Sequence, residues 1–358
     1  MGQTASSQNP QIPPEWGHHQ STFMSWPSDW GSLNSRIQAD ISRIANAIVQ
    51  FEPVYMMAAQ KHIASAKAIV NNSQIIFVPI PVDDLWARHT LPLFLRKDKK
   101  LTGLNLNFNG MGDKQCHEND AKVASSTLDY LNLTGARSKL VSEGGAFEFD
   151  GEGTLMLTES SIVNKNRNPG LSKDEIDQIL KSELGVAKII WIKGIKGHDI
   201  TDLHIDNLAR FVAPGVVMVS RPFPAPEDDV EAQVWIDQYN QVMSVLKTAT
   251  DAKGRQLRII ELPEPNPEKI HQMSPSEIKL CRMLGVDCKN TVFASYVSFY
   301  IVNGGVIVPA FGDQEADHTA RDIVQKAFPS RKVVSVNIDF IAVGGGGIHC
   351  ATHQVPKL

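Results

Sequence analysis

Long apolar runs are missing from this chain of 358 residues. No stretch reaches the ~18 residues a membrane helix needs, so stable membrane insertion is not expected. Basic runs are missing as well. The net charge is −4, which argues against nucleic acid as a main partner. Cysteine is scarce: the four are Cys116, Cys281, Cys288 and Cys350, and no pair has C-x-x-C spacing. A structural zinc site is therefore not expected. There is no charged-then-apolar secretion signal, which predicts a cytoplasmic protein with reduced thiols. Met1-Gly2-Gln3-Thr4-Ala5-Ser6 fits a myristoylation pattern at Gly2. No basic cluster follows, so one acyl chain would anchor weakly.

No Pro/Gly/Ser-rich linker divides the chain. Its 42% hydrophobic and 21% charged residues are ordinary globular composition. Residues 1–13 are read as a disordered polar tail and residues 14–358 as one domain. Similar short units recur along that domain. Apolar strands are expected at Pro53-Val54-Tyr55-Met56-Met57, Leu104-Asn105-Leu106-Asn107-Phe108, Gly153-Thr154-Leu155-Met156-Leu157, Gly215-Val216-Val217-Met218-Val219 and Gly305-Val306-Ile307-Val308-Pro309. Helices are expected between them. Ile37, Ile41, Ile44 and Ile48 repeat at helical spacing. Ser172 and Glu175 form a capping box, and Gly185 stops that helix. Further helices are expected over 118–131, 229–246 and 313–328. About five strand–helix units favour a repeat architecture, with radial repetition leaving an axial cavity. A doubly wound α/β sheet fits the coarse pattern nearly as well.

Four segments concentrate reactive side chains beside glycine or apolar strands. They are Asp83 to Thr90, Glu143 to Asp150, Gly197 to Asn207, and Gly344-Gly345-Gly346-Gly347-Ile348-His349-Cys350. Four glycines bare the backbone before a thiol, so something flat can approach closely. A histidine and a polar setting would make that thiol a nucleophile. His204 and Asp206 share a side if their segment is extended, giving an acid/base beside a carboxylate. Glu143 precedes two glycines. A nucleophile, an acid/base and two carboxylates suit attack on a guanidinium, whose N–H fork matches carboxylates. Taken singly, each feature has a commoner reading: a turn, a surface ion pair or a buried small hydrophobe.

Together they resemble the agmatine deiminase and bacterial-type peptidylarginine deiminase family of the guanidino-group modifying superfamily. The resemblance runs through Pro14-Glu15-Trp16, Ser25-Trp26-Pro27, Glu143-Gly144-Gly145, Asp150-Gly151-Glu152-Gly153-Thr154 and Asn164-Lys165-Asn166-Arg167-Asn168-Pro169. It continues through Thr201-Asp202-Leu203-His204-Ile205-Asp206, Ser295-Tyr296-Val297, Asn303-Gly304-Gly305, Phe311-Gly312-Asp313 and the end from Gly344 to Pro356. It implies an α/β fold, the five-bladed pseudo-symmetric propeller called the pentein fold. It also implies Cys350 as nucleophile, His204 as acid/base, Glu143 as the group orienting His204, and Asp206 as guanidinium ligand. The implied reaction converts a guanidino group to a ureido group plus ammonia through a covalent Cys350 thiouronium. The implied substrate is a small molecule or a peptide, with no metal or organic cofactor. A homodimer is open to it, since members often dimerise.

The chain departs from the family around the expected site. Typical members carry Arg-Asp-x-Gly-Pro where this chain reads Arg88-His89-Thr90-Leu91-Pro92. Leu203 replaces a glycine, and His353 stands where glutamine is common. Substrate contacts are expected from Asp206, His89, Arg88, Trp86, Leu91, Leu203 and Gly347. His89 removes an expected carboxylate, a loss of ~1.5–3 kcal/mol for an ordinary guanidinium. A deiminase with altered specificity is the leading expectation. A guanidine-binding homologue with impaired catalysis and an amidinotransferase are the alternatives.

Overall fold

The computed structural model describes residues 10–283 and 294–358. The strands in chain order begin with β1 (His19–Ser25), β2 (Val54–Met57) and β3 (Ile76–Val78). Four triplets follow: β4 (Leu93–Lys97), β5 (Lys100–Asn105) and β6 (Gly135–Arg137), then β7 (Glu148–Phe149), β8 (Thr154–Thr158) and β9 (Lys188–Ile192). The last two are β10 (Ala209–Ala213), β11 (Val216–Arg221) and β12 (Arg258–Pro263), then β13 (Tyr300–Val302), β14 (Gly305–Ala310) and β15 (Lys332–Asn337). The final strand is β16 (Thr352–Pro356).

They form five separate sheets in an α/β fold. Each triplet is an antiparallel pair followed by a helix and a parallel third strand. The remaining sheet has the order β16-β1-β2-β3, with β16 antiparallel to β1. All five strands expected from sequence lie inside their sheets, as β2, β5, β8, β11 and β14. Burial explains why: Leu155, Met156 and Leu157 of β8 are fully buried. The outer strands gave no such signal, since all three residues of β6 are exposed.

The helices form where their caps stand. Ser172 and Glu175 make the expected capping box for Lys173–Leu184, and Gly185 ends it at φ +67°. Asp229 accepts from Ala232 N ahead of Val230–Thr248. Asp313 caps Gln314–Ala327. Ile37, Ile41, Ile44 and Ile48 of Asn34–Ile48 are buried in the largest apolar cluster, together with β1, β2 and β14 residues.

Two boundaries shift. The expected tail through residue 13 is too long, because Gln11 exchanges backbone hydrogen bonds with Arg96 and Ile12 packs on an apolar cluster. Gly2 lies outside the described residues. The second expected strand segment, through Phe108, stops at Asn105. Asn107 takes φ +57° and its side chain ties the loop to the carbonyls of Ser138 and Leu140.

Candidate active site

Each unit carries a short helical turn immediately before its antiparallel strand. These are Ala87–Thr90, Gly144–Ala146, Ile205–Asn207 and Tyr296–Ser298, and His349-Cys350 occupies the same place before β16. The turns touch in sequence and the series returns on itself. Glu143 meets His204, Ser295 Oγ donates to Asn207 O, His349 N donates to Ser298 O, and Arg88 N donates to Cys350 O at 3.0 Å. The ring between Ala87–Thr90 and Gly144–Ala146 is tight enough that a Cβ on Gly144 would lie 2.3 Å from Arg88 O.

Within this ring the expected residues come together. Cys350 Sγ lies 3.7 Å from Asp206 Oδ2. His204 Nε2 lies 3.2 Å from Glu143 Oε2, with both side chains fully buried. The rings of His89 and His204 are 5.0 Å apart. A Cβ on Gly145 would sit 2.5 Å from His89 Cε1 and 2.7 Å from Asp206 Oδ2. Only glycine there lets ring and carboxylate share that face. Three buried polar atoms in this centre have no partner: Asp206 Oδ1, His204 Nδ1 and His89 Nδ1. Such atoms are costly unless something arrives to bond them.

The charges are organised from behind. Burial pushes Glu143 up, but the Arg167 guanidinium and His204 outweigh it and hold the carboxyl at about 2. Arg167 Nε donates to Glu143 at 2.8 Å, and the other side of its fork reaches Asp202 at 2.6 Å. Burial opposes ionisation of Asp206 too, yet His349, His204 and His89 hold it below the ordinary carboxylate range. His349 Nδ1 meets Asp206 Oδ2 at 2.8 Å while its Nε2 meets Glu15 Oε2 at 3.0 Å. Glu15 is held well below its usual value against burial by Arg210, His349 and Arg88. Burial and Asp206 push the Cys350 thiol well above its usual value, while a hydrogen bond from Gly347 N–H works the other way. Burial and His204 push His89 down to about 3, so its ring is neutral near pH 7.

Arg88 is consumed by the scaffold: its guanidinium binds Gln354 at 2.8 Å, Glu15 at 3.2 Å and the His349 carbonyl. Trp86 packs on the glycine run, where a Cβ on Gly346 would lie 2.5 Å from its ring. Leu91 and Leu203, expected among the substrate contacts, both lie in apolar clusters. Leu91 is buried in an apolar cluster with Phe23 and Met57, and Leu203 in another with Met156 and Val242. Leu203 has φ +66°, a conformation that suits glycine. It is held by Asp199 Oδ1 accepting from Leu203 N and by Thr158 Oγ1 donating to Leu203 O. That backbone turn sends the side chain into the apolar cluster.

Sequence reasoning assigned no role to Arg167, Asp202, Glu15 or His349. The signal available was their membership of the matched segments. Among the described residues no His/Cys/Asp/Glu group is arranged to hold a metal ion.

The family model of the Porphyromonas-type peptidyl-arginine deiminases matches residues 11–356. The chain belongs to this deiminase family. Similar curated members include the agmatine deiminase of Stutzerimonas stutzeri, 36% identical over 96% of this chain and 95% of its own. The agmatine deiminase of Pseudomonas aeruginosa is 36% identical over 97% of this chain and 95% of its own. Among solved structures, the agmatine deiminase of Enterococcus faecalis superposes with a TM-score of 0.85 at 30% identity, covering 98% of this chain and 96% of that one.

Proposed function

We propose that this deiminase-family protein is a cysteine-dependent C–N hydrolase that converts a guanidino group to a ureido group and ammonia. One observation carries the reading. Three unpartnered buried polar atoms, Asp206 Oδ1, His204 Nδ1 and His89 Nδ1, belong to side chains gathered beside Cys350: Asp206 Oδ2 is 3.7 Å from the sulfur, His89 shares the face of Gly145 with Asp206, and the His204 ring is 5.0 Å from that of His89. A guanidinium is planar, presents a fork of N–H donors and has an electrophilic carbon at its centre, so it would satisfy these atoms and face the thiol.

In this reading Asp206 binds and orients the guanidinium. Its positive charge offsets Asp206, which otherwise disfavours the thiolate, and attack becomes feasible once substrate is bound. Sγ bonds to the guanidinium carbon and the thiol proton passes to His204. His204 returns that proton to the departing nitrogen, the C–N bond breaks and ammonia leaves. A thiouronium remains on Cys350. Water, deprotonated by His204, adds to the same carbon. The C–S bond then breaks, sulfur recovers a proton, and the ureido product leaves. Glu143, fixed by Arg167, orients the His204 ring and stabilises its protonated form.

The centre offers one available carboxylate and a neutral imidazole in His89. The substrate is therefore a guanidine other than plain agmatine, or a less basic amidine. We also infer that the five units close into a five-bladed pseudo-symmetric propeller as one domain. The ring of contacts among the five turns and the β16–β1 pairing support this closure.

The test offers agmatine, arginine, arginine dipeptides and cyclic arginine peptides, and measures ammonia together with the mass of the ureido product. Release by wild type and not by Cys350→Ala is expected. Equal traces from both proteins would overturn the reading.

A further inference from the structure

The reacting centre is closed, with Cys350 only 4% exposed. A substrate with a tail must therefore lead that tail away from the sulfur along some path. A cleft of 370 Å³ lies among residues next in the chain to the centre. Its lining includes Asn207, the neighbour of Asp206, and Gly344 and Gly345, the start of the run that delivers Cys350. Asn207 is buried, and its Oδ1 has no hydrogen-bond partner.

Two properties of the walls define what fits. The first is apolar and aromatic character. Trp235 and Tyr239 line the cleft from the helix Val230–Thr248, Ile200 and Leu208 add to its lining, and Phe223 there stands 39% exposed. The His198 ring meets Trp235 edge to face at 4.5 Å, so the indole is braced in place. The second is charge. Among the described lining residues there are carboxylates, Asp199, Asp229, Glu231 and Glu264, and no lysine or arginine. Burial raises the Glu264 carboxyl, which accepts from Ser220 Oγ at 2.7 Å, to about 7, so the charge of the lining rests on Asp199, Asp229 and Glu231. A carboxylate entering the cleft would meet charges of its own sign and no cation.

We propose that the substrate's tail lies in this cleft, and that the preferred substrates are guanidines with a bulky apolar or aromatic tail and no carboxylate. The inference rests on the deiminase reading of the Cys350 centre and adds the part of the molecule that reading leaves undefined. Small apolar ligands take most of their affinity from such walls, while a few polar groups set orientation. Agmatine would leave the aromatic wall unfilled, and arginine would bring an unwelcome carboxylate.

The experiment compares kcat/KM for agmatine, arginine, 4-phenylbutylguanidine and Nα-benzoyl-arginine amide. The two aromatic compounds are expected to exceed agmatine by about tenfold, the worth of one well-packed ring, with arginine last. Trp235→Ala and Phe223→Ala should each lower the aromatic-over-agmatine ratio several-fold, mainly through KM. Phe223 is half outside the protein already, so its variant tests the cleft without burdening the fold. Calorimetric titration of Cys350→Ala with the same compounds separates the two readings. Tight aromatic binding that both variants weaken, with no ammonia from wild type, supports the cleft and overturns only the deiminase reading. Equal handling of all four compounds, or a ratio indifferent to both variants, overturns the cleft as the tail site.

Discussion

His89 decides the charge of the reacting centre. Asp206 supplies one negative charge, and the imidazole beside it is held neutral by burial and by His204. His89→Asp would add a second charge-assisted acceptor for a guanidinium, worth ~1.5–3 kcal/mol. Activity toward agmatine is then expected to rise about tenfold or more. Unchanged steady-state kcat/KM would show that the cleft, and not this residue, sets selection. The same scale shows what could be read in advance. Cys350, His204, Glu143 and Asp206 were accessible because their residue types and order match a family pattern. Arg167 was not: within Asn164-Lys165-Asn166-Arg167-Asn168 nothing marks the arginine whose guanidinium binds Glu143. Leu203 was expected near the substrate because it replaces a family glycine; that substitution says nothing of where a side chain points after a left-handed backbone turn.

At the scale of elements, the inner strands were legible and the outer ones were not. β8 and β11 are apolar runs buried in the sheet, while β6 is an exposed Gly-Ala-Arg whose pairing is supplied by β5. The most demanding element is the glycine run. Gly344 packs on Trp30, where a Cβ would lie 2.9 Å from the ring, and Gly346 packs on Trp86 still more closely. Both indoles are buried, and Trp30 Nε1 donates to Asp84 at 3.1 Å, so they cannot readily retreat. Gly346→Ala is expected to move the Cys350 turn instead. A misplacement of about 1 Å costs roughly a hundredfold in rate. The expected outcome is a loss of that order in kcat/KM with a small change in melting temperature. A melting temperature that collapses alongside the rate would mean the run supports the fold rather than the nucleophile alone.

For the whole molecule, the buried centre makes stability depend on acid. His89 is lowered from 6.5 to about 3 in the folded protein. Unfolded chains therefore take up a proton on this histidine before folded ones do, and stability falls as pH drops below 6.5. Glu143 is lowered from 4.5 to about 2, so its contribution is present above 4.5 and is lost as pH falls through the folded value. Burial raises Asp40 and Asp84 to about 6 and Glu264 to about 7, and these acids work the other way, favouring the folded state as pH falls. The His89 contribution is therefore read as a difference: between pH 6.5 and 4.5 the urea midpoint of wild type should lose ground to that of His89→Gln. A difference between the two proteins that stays constant across that window would contradict the assigned burial of a neutral His89. The number of units and a radial arrangement were both expected from the sequence. The contacts between units could not be, because those such as Arg88 N to Cys350 O join residues remote in the chain.

The pairing of β16 with β1 has a consequence in time. The ribosome makes Glu143, His204 and Asp206 long before Cys350, and β16 is made after it. A growing chain can assemble four units and hold every partner of the sulfur while the sulfur is still unmade. When the thiol appears it has no fixed position until Thr352 finds Met24 and the last strand joins the first. The surroundings of the sulfur are therefore complete only after β16 has paired with β1, the last of the sixteen described strands with the first.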